Sequence, residues 1–383
     1  MNTPITISGG GIIGNYISLR LKKNNINSII VEKSEDSELP PGGIRTLTLN
    51  QQSLSMLQNV GIDPETALIS KIIVSDGEGT GRIQFSAEDI EEKNLSYVVM
   101  FNDLANMLMK AQKENTIFSN EVQSIQNFDN EIDSEVILKD GISIRTKIIA
   151  GCDGRNSNVA KIAALPGSFN EYKQTALTFV VSVQENTNEN AYQVFSEKGI
   201  FALMPMPNNN NKHTVVWSIN DSEIKDTDIN DYVDNYLSYF ESKLNLNMSV
   251  ESKILNFKLS NHHLDKYING SLVLIGDAAH SIHPLAGQGI NLGFADADIF
   301  CEEVINAYNK GFSINEKALL KRYEIRRKGM NLIMLKSMDF FVNFFNNENL
   351  YLRILRNWGL TTFNKSRFIK AFFIKHASGL NKI

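Results

Sequence analysis

The feature that most constrains this chain is Gly9-Gly-Gly-Ile-Ile-Gly14, set between a short β-rich run, Ile5-Thr-Ile-Ser8, and residues 12–21, whose apolar side chains recur at helical spacing. Glycines at a strand-to-helix turn let the backbone approach a pyrophosphate, and the unpaired N–H groups and dipole of the helix N-terminus favour its negative charge. A second run, Ser28-Ile-Ile-Val-Glu32, ends in an acid 18 residues after Gly14, where a dinucleotide-binding βαβ unit accepts hydrogen bonds from an adenosine ribose. Alone, the glycine pattern is matched by chance in many turns. The flanking strand, helix and acid make it specific. The candidate cofactor contacts here are Gly9, Gly11, Ile12, Ile13, Gly14, Glu32 and its neighbour Lys33.

More than 260 residues later comes Leu274-Ile-Gly-Asp-Ala-Ala-His-Ser-Ile-His-Pro-Leu-Ala-Gly-Gln-Gly-Ile-Asn-Leu-Gly293. Ser271-Leu-Val-Leu-Ile275 predicts a buried strand, Asp277 follows it, and Gly287-Gln-Gly289 precedes a helix-like run over 290–300. An acid at a strand end suits a ribityl hydroxyl, and backbone N–H groups with a helix dipole behind them suit an electron-rich ring oxygen. That describes a flavin better than a nicotinamide. Gly276, Asp277, Pro284, Gly287, Gln288, Gly289, Ile290 and Asn291 are the candidate contacts. Between the two segments lies Ile148-Ile-Ala-Gly-Cys-Asp-Gly-Arg-Asn-Ser-Asn-Val159, with Asp153 and Gly154 at its centre. A lone Asp-Gly is usually a turn.

In this order and spacing, the three segments resemble those of the FAD-dependent aromatic hydroxylases, the single-component monooxygenases related to p-hydroxybenzoate hydroxylase. The resemblance is nearer still to their ubiquinone-biosynthesis branch, over about residues 5–380. It is carried by Arg45-Thr-Leu-Thr-Leu-Asn, Tyr172-x-Gln174-Thr-Ala176, Val215-Val-Trp-Ser218 and above all His283-Pro-Leu-Ala-Gly-Gln-Gly-Ile-Asn-Leu-Gly293. Three places depart from it. Gly43 stands where many relatives have an acid, Phe101-Asn102 replaces a Glu-Asn pair, and residues 185–189 are Asn-rich without an expected Pro-His pair.

The resemblance implies an α/β fold: a Rossmann-like FAD-binding domain (1–70, 101–169 and 266–345), an inserted antiparallel substrate domain (71–100 and 170–265) and a basic helical segment (346–383). Alternating apolar patterns over 178–183, 191–195, 200–204 and 213–219 suit that inserted sheet. It further implies FAD as resident cofactor, NAD(P)H as transient reductant and O2 as co-substrate. A C4a-hydroperoxyflavin would hydroxylate the ring of a prenylated phenol in ubiquinone biosynthesis. Arg45 and Asn102 would touch FAD, Asp153 and Gly154 would lie near its pyrophosphate and the NAD(P)H path, and Pro284 with His283 would face the reacting ring. Tyr192, Phe201, Met204 and Trp217 are either ring and tail contacts or plain core. Two other readings stay open: a hydroxylase of a soluble aromatic acid, and a non-catalytic FAD-binding subunit of a biosynthetic complex. With only Trp217 and Trp358 present, a paired-tryptophan halogenase motif cannot form.

Composition sets the outer bounds. A net charge of −5 speaks against nucleic acid as the main partner. Two cysteines, Cys152 and Cys301, give neither a disulfide framework nor a metal-ligand cluster, as expected in a reducing cytoplasm. No signal-like h-region and no run of 18 apolar residues is present, so neither secretion nor a spanning helix is expected. From Asn349 to Ile383 there is no acid, while Arg353, Arg356, Lys365, Arg367, Lys370, Lys375 and Lys382 alternate with bulky apolar residues. Such a segment suits an anionic membrane surface, at about 1 kcal/mol per nearby cation, and equally a helix pair packed on the FAD domain. The expectation is a cytoplasmic protein, held peripherally at the inner membrane where the first of these holds.

Overall fold

The structure, a computed structural model, describes residues 1–127, 133–187, 189–282, 287 and 289–345, with 210 and 340–345 described by backbone alone. The basic segment 346–383 and the positions His283, Pro284 and Gln288 lie outside the described residues.

Strands rich in Ile, Val and Thr, buried on both faces, form the parallel centre of an eight-stranded sheet. Its parallel strands run in the order Leu272–Leu274, Ser143–Gly151, Asn2–Ser8, Ser28–Val31 and Thr116–Ile117. Helices Ile12–Lys22 and Gly289–Asn309 pack on one another through an edge-to-face contact of Tyr16 and Phe294, with ring centroids 5.3 Å apart. An ion pair between Arg20 and Asp298 at 2.7 Å fastens the same interface.

The register decides where the site lies. Leu274 pairs with Gly151, Gly151 with Ser8, and Ser8 with Val31. All three sequence fingerprints therefore leave the sheet at neighbouring carboxyl ends, the edge at which open α/β sheets bind ligands.

A nine-stranded sheet stands beside it, antiparallel except where Asn190–Ser196 pairs with Lys71–Asp76. Its strands Gly167–Val183, Asn190–Ser196, Gly199–Met206 and Asn209–Asn220 contain the four stretches expected from the alternation. Trp217, Phe201 and Tyr192 pack under helix Ile229–Leu244, where Phe201 stacks on Phe240 at 4.3 Å and Trp217 Nε1 donates to the Lys198 carbonyl at 2.8 Å. These three are core. Met204 is on the opposite face, its sulfur accepting from Thr48 Oγ1 at 3.3 Å, because successive strand residues alternate sides.

Two connections differ from the expected segmentation. Ser96–Met100 forms a separate three-stranded sheet with Thr46–Leu49 and Ala67–Ile69. Within the flavin fingerprint, His280–Ser281 joins the nine-stranded sheet beside His262 and His263. The fingerprint thus bridges both sheets, a long-range pairing that no local pattern announces. The last helix among the described residues, Lys317–Phe345, then crosses the junction, with Leu335 and Met338 against Phe195, Ile200 and Ile282. Among the described residues, no helix is long and apolar enough to cross a membrane.

Candidate cofactor and active site

At the carboxyl edge of the parallel strands, the glycine loop is held against the Asp-Gly segment. Gly9 has φ +103°, and a Cβ there would lie 2.5 Å from the Cys152 carbonyl oxygen and 2.8 Å from Asp153 Cα. Conformation and close approach both demand glycine. A Cβ on Gly14 would meet the Gly9 carbonyl oxygen at 2.0 Å, so that glycine lets the helix start directly beneath the loop. Gly11 faces open space and caps helix Ile12–Lys22 without a side-chain hydrogen bond. The first helical N–H groups, at Ile12, Ile13 and Gly14, are therefore left for an anion.

Glu32 is half-buried and already engaged: Oε2 accepts from Gly10 N at 2.6 Å and Oε1 from Ser34 N at 2.8 Å. It ties the glycine loop to the strand end, and each oxygen keeps a lone pair for a ribose hydroxyl. Lys33 is exposed. Asp153 caps the Asn158–Ile162 turn through Oδ2, which accepts from Asn158 N at 2.8 Å and Val159 N at 3.2 Å. Its Oδ1 is buried with no partner, an acceptor placed for a ligand donor. Gly154, at φ +79°, has open space at its Cβ position.

Arg45 lies over the Phe101 ring at 4.2 Å, and its charge interacts with that of Asp277. Two of the departures from the family pattern lie in this region. Phe101 gives Arg45 an aromatic platform, and Gly43, at φ +100°, leaves room for Asn102, whose Nδ2 would be 2.9 Å from a Cβ there. Asn102 Nδ2 donates to the Pro40 carbonyl at 2.8 Å and holds this loop in place.

The flavin segment is anchored from several sides. Gly276 has φ +60° and rests against Gly293 and Ile13, so the first helix reaches the turn that precedes Asp277. Asp277 itself is exposed, and its charge acts on Arg45. Gly287 has φ +64°, and a Cβ there would crowd Thr48 at 3.0 Å, whereas Gly289 is open. Asn291 spends its amide on structure: Oδ1 accepts from Asn50 N and Nδ2 donates to the Thr48 carbonyl, both at 3.0 Å. Ile290, in the first turn of its helix, is half-buried against the core. Gly9, Gly11, Gly14, Glu32, Asp153, Gly276 and Asp277 are brought to one edge, while His283, Pro284 and Gln288 lie outside the described residues.

Sequence reasoning missed the group beneath this turn. Asp296, fully buried, accepts from Gly276 N at 3.1 Å and His280 Nε2 at 2.6 Å on one oxygen, and from Arg327 Nε at 2.6 Å and Asn331 Nδ2 at 3.0 Å on the other. Burial alone would raise its pKa. The His280 and Arg327 charges and the hydrogen bonds reverse that and hold the carboxyl below the usual carboxylate range. His280 stacks on Tyr267 within this network and is 2 % exposed. Only the i, i+4 spacing of Arg327 and Asn331 gave any signal in the sequence. Next to it, His262 has its pKa lowered to about 4 by burial, then by His280 and Arg155, while its Nδ1 contacts Ser281 Oγ at 2.9 Å.

These features fit FAD. An uncapped helix N-terminus behind Gly11, an orphaned Asp153 oxygen, spare acceptors on Glu32 and an exposed Asp277 match in turn a pyrophosphate, polar donors, an adenosine ribose and a ribityl chain. Gly9→Ala should cost about 2–5 kcal/mol, from left-handed strain plus overpacking. The apo protein should show this as a lower urea midpoint, together with at least tenfold weaker FAD binding. The His262 pKa falls from 6.5 to about 4 on folding, so the unfolded chain takes up protons first as pH drops. Its contribution is therefore complete above about pH 6.5 and erodes toward pH 4, by about 2 kcal/mol between pH 7 and pH 5. Urea titrations of wild type and His262→Gln at those two pH values should show the loss flattened in the variant.

Residues 2–334 match the family described as FAD binding domain. A 3-demethoxyubiquinol 3-hydroxylase of Escherichia coli (strain K12) is 28% identical over 391 residues, covering 99% of each chain. The mitochondrial ubiquinone biosynthesis monooxygenase COQ6 of Dictyostelium discoideum is 26% identical over 456 residues, covering 98% of this chain and 91% of its own. Among solved structures, p-nitrophenol 4-monooxygenase PnpA from Pseudomonas putida DLL-E4 superposes with a TM-score of 0.81 at 15% identity, over 99% of this chain and 98% of its own, which shows the shared fold. With its three fingerprints gathered at one sheet edge and the family matched along most of its length, the chain belongs to the FAD binding domain family, and FAD is its cofactor.

Proposed function

We propose that this protein is an FAD-dependent monooxygenase that uses NAD(P)H and O2 to hydroxylate the aromatic ring of a prenylated phenol in ubiquinone biosynthesis. The observation that carries this reading is the bridging of the two sheets by the flavin fingerprint: Gly276 and Asp277 follow the parallel strands, and His280–Ser281 extends the antiparallel sheet four residues later. A ring held against that sheet would lie beside the flavin. Relatives named for ubiquinone biosynthesis, similar over nearly the whole chain, support the substrate class.

When bound, reduced FAD supplies oxygen activated from O2, and the protein orients the ring and excludes water. In this reading Glu32 holds the adenosine ribose, Gly11 and the first helical turn the pyrophosphate, and Asp277 the ribityl chain. Arg45 and Asn102 would contact FAD, and this reading assigns the flavin-facing side of the ring pocket to the backbone of residues 284–289. Ile200 and Met204, on the sheet face away from helix Ile229–Leu244, pack with Ile282 and against Thr48 respectively. Phe195, Ile282 and Met338 continue this apolar packing as buried core toward the helix Lys317–Phe345. His280 serves the Asp296 network, and this reading assigns proton transfer to His283. The basic segment 346–383 would rest on an anionic membrane surface near a lipid substrate, and assembly with other proteins of the pathway is compatible with it.

Anaerobic mixing of the FAD-loaded protein with NADPH and a prenylated phenol, followed by O2, tests the reading. Flavin bleaching and a phenol heavier by one oxygen are expected. FAD that binds but is never reduced would leave a non-catalytic subunit, and turnover only with an untailed aromatic acid would replace the substrate class.

A further inference from the structure

The Gly276–Asp277 turn is held from beneath by a side chain with no access to solvent. Asp296, about two turns into helix Gly289–Asn309, accepts the Gly276 N–H with the same oxygen that takes His280 Nε2. Both ends of the five-residue stretch from Gly276 to His280 are thereby tied to one atom. The other oxygen is fixed by Arg327 and Asn331 of the last helix, and Arg327 also donates to Asn331 Oδ1 at 2.9 Å, so the carboxylate cannot rotate to release the turn. Tyr323 OH donates to the Leu274 carbonyl at 2.8 Å and pins the strand just upstream. Gly276 has φ +60°, and a Cβ there would come to 3.4 Å from the Cα of Gly293, so the turn lies close over the start of helix Gly289–Asn309. Asp277, next in the chain, is exposed, and its charge acts on Arg45.

We propose that Asp296 is a positioning residue for cofactor binding: through Gly276 N–H and His280 it sets the Gly276–Asp277 turn in its FAD-binding geometry before FAD arrives. Most of the ordering of this loop is then complete in the apo protein, and affinity is not spent on folding it. Asp296 touches no cofactor atom. Its effect reaches the flavin only through the turn. The inference rests on the placement of the ribityl chain at Asp277 under Proposed function.

The test compares Asp296→Asn with Asp298→Asn, on the same helix but bonded to Tyr16 and Arg20 instead of the turn. FAD titration of the apo proteins by flavin fluorescence gives Kd, and thermal unfolding of the same samples reports general stability. Asp296→Asn should bind FAD at least tenfold more weakly, while Asp298→Asn stays within about twofold even where its Tm falls. Equal affinities, or equal losses in both, would overturn the proposal. Hydrogen exchange at the Gly276 amide of the wild-type apo protein keeps it falsifiable if Asp296→Asn does not fold. Slow exchange, unchanged by FAD, is expected, and fast exchange that slows only with FAD would show that the cofactor orders the turn. Asp277→Ala separates the two readings: wild-type affinity in that variant removes the ribityl placement, whereas a preorganised turn still protects the Gly276 amide.

Discussion

A carboxylate with no access to water holds this molecule's working edge together. An ion buried as Asp296 is would cost several kcal/mol unless fully compensated, and here a backbone N–H, an imidazole, a guanidinium and an amide all converge on it. Because a carboxylate only accepts, the imidazole must present a proton on Nε2, which fixes the orientation of His280. These partners come from the flavin turn, the edge of the nine-stranded sheet and the last helix. Three segments, the Gly276–His280 stretch and two helices, therefore share one electrostatic centre, and removing it would leave Arg327 buried and without its counter-charge. Losses of about 3–5 kcal/mol are typical when a buried pair is broken in this way.

From that centre outward, the architecture follows from register and glycine geometry. Parallel pairing aligns Leu274, Gly151, Ser8 and Val31, so the loops after them share one edge. Close packing then decides residue type: Gly9 is pressed on the Cys152 carbonyl, Gly14 on Gly9, and Gly287 on Thr48. Polar side chains at the rim fall into two groups. Glu32 and Asp153 brace the loops and retain acceptor capacity, while Asp277 and Arg45 act on each other through their charges.

Much of this was legible in the sequence because it is local. A β-run, a glycine turn and a helical period predict the βαβ unit, and strand alternation predicts most of the nine-stranded sheet. What could not be read is long-range. Pairing of His280–Ser281 with Leu255–Leu264, the placing of Ser96–Met100 in a third sheet, and the burial of Asp296 beside Arg327 each depend on tertiary contact. The aromatic residues Tyr192, Phe201 and Trp217 show the same limit from the other side. Alternation gives two faces to a strand without saying which one a helix will cover, and helix Ile229–Leu244 covers theirs.

A crystal structure of the FAD complex tests the account most directly. It should show the ribityl chain within hydrogen-bond distance of Asp277, the pyrophosphate over Gly11 and the first helical turn, and the Gly276–His280 turn unmoved on Asp296. FAD seated elsewhere, or a turn that leaves Asp296 to receive it, would contradict the account.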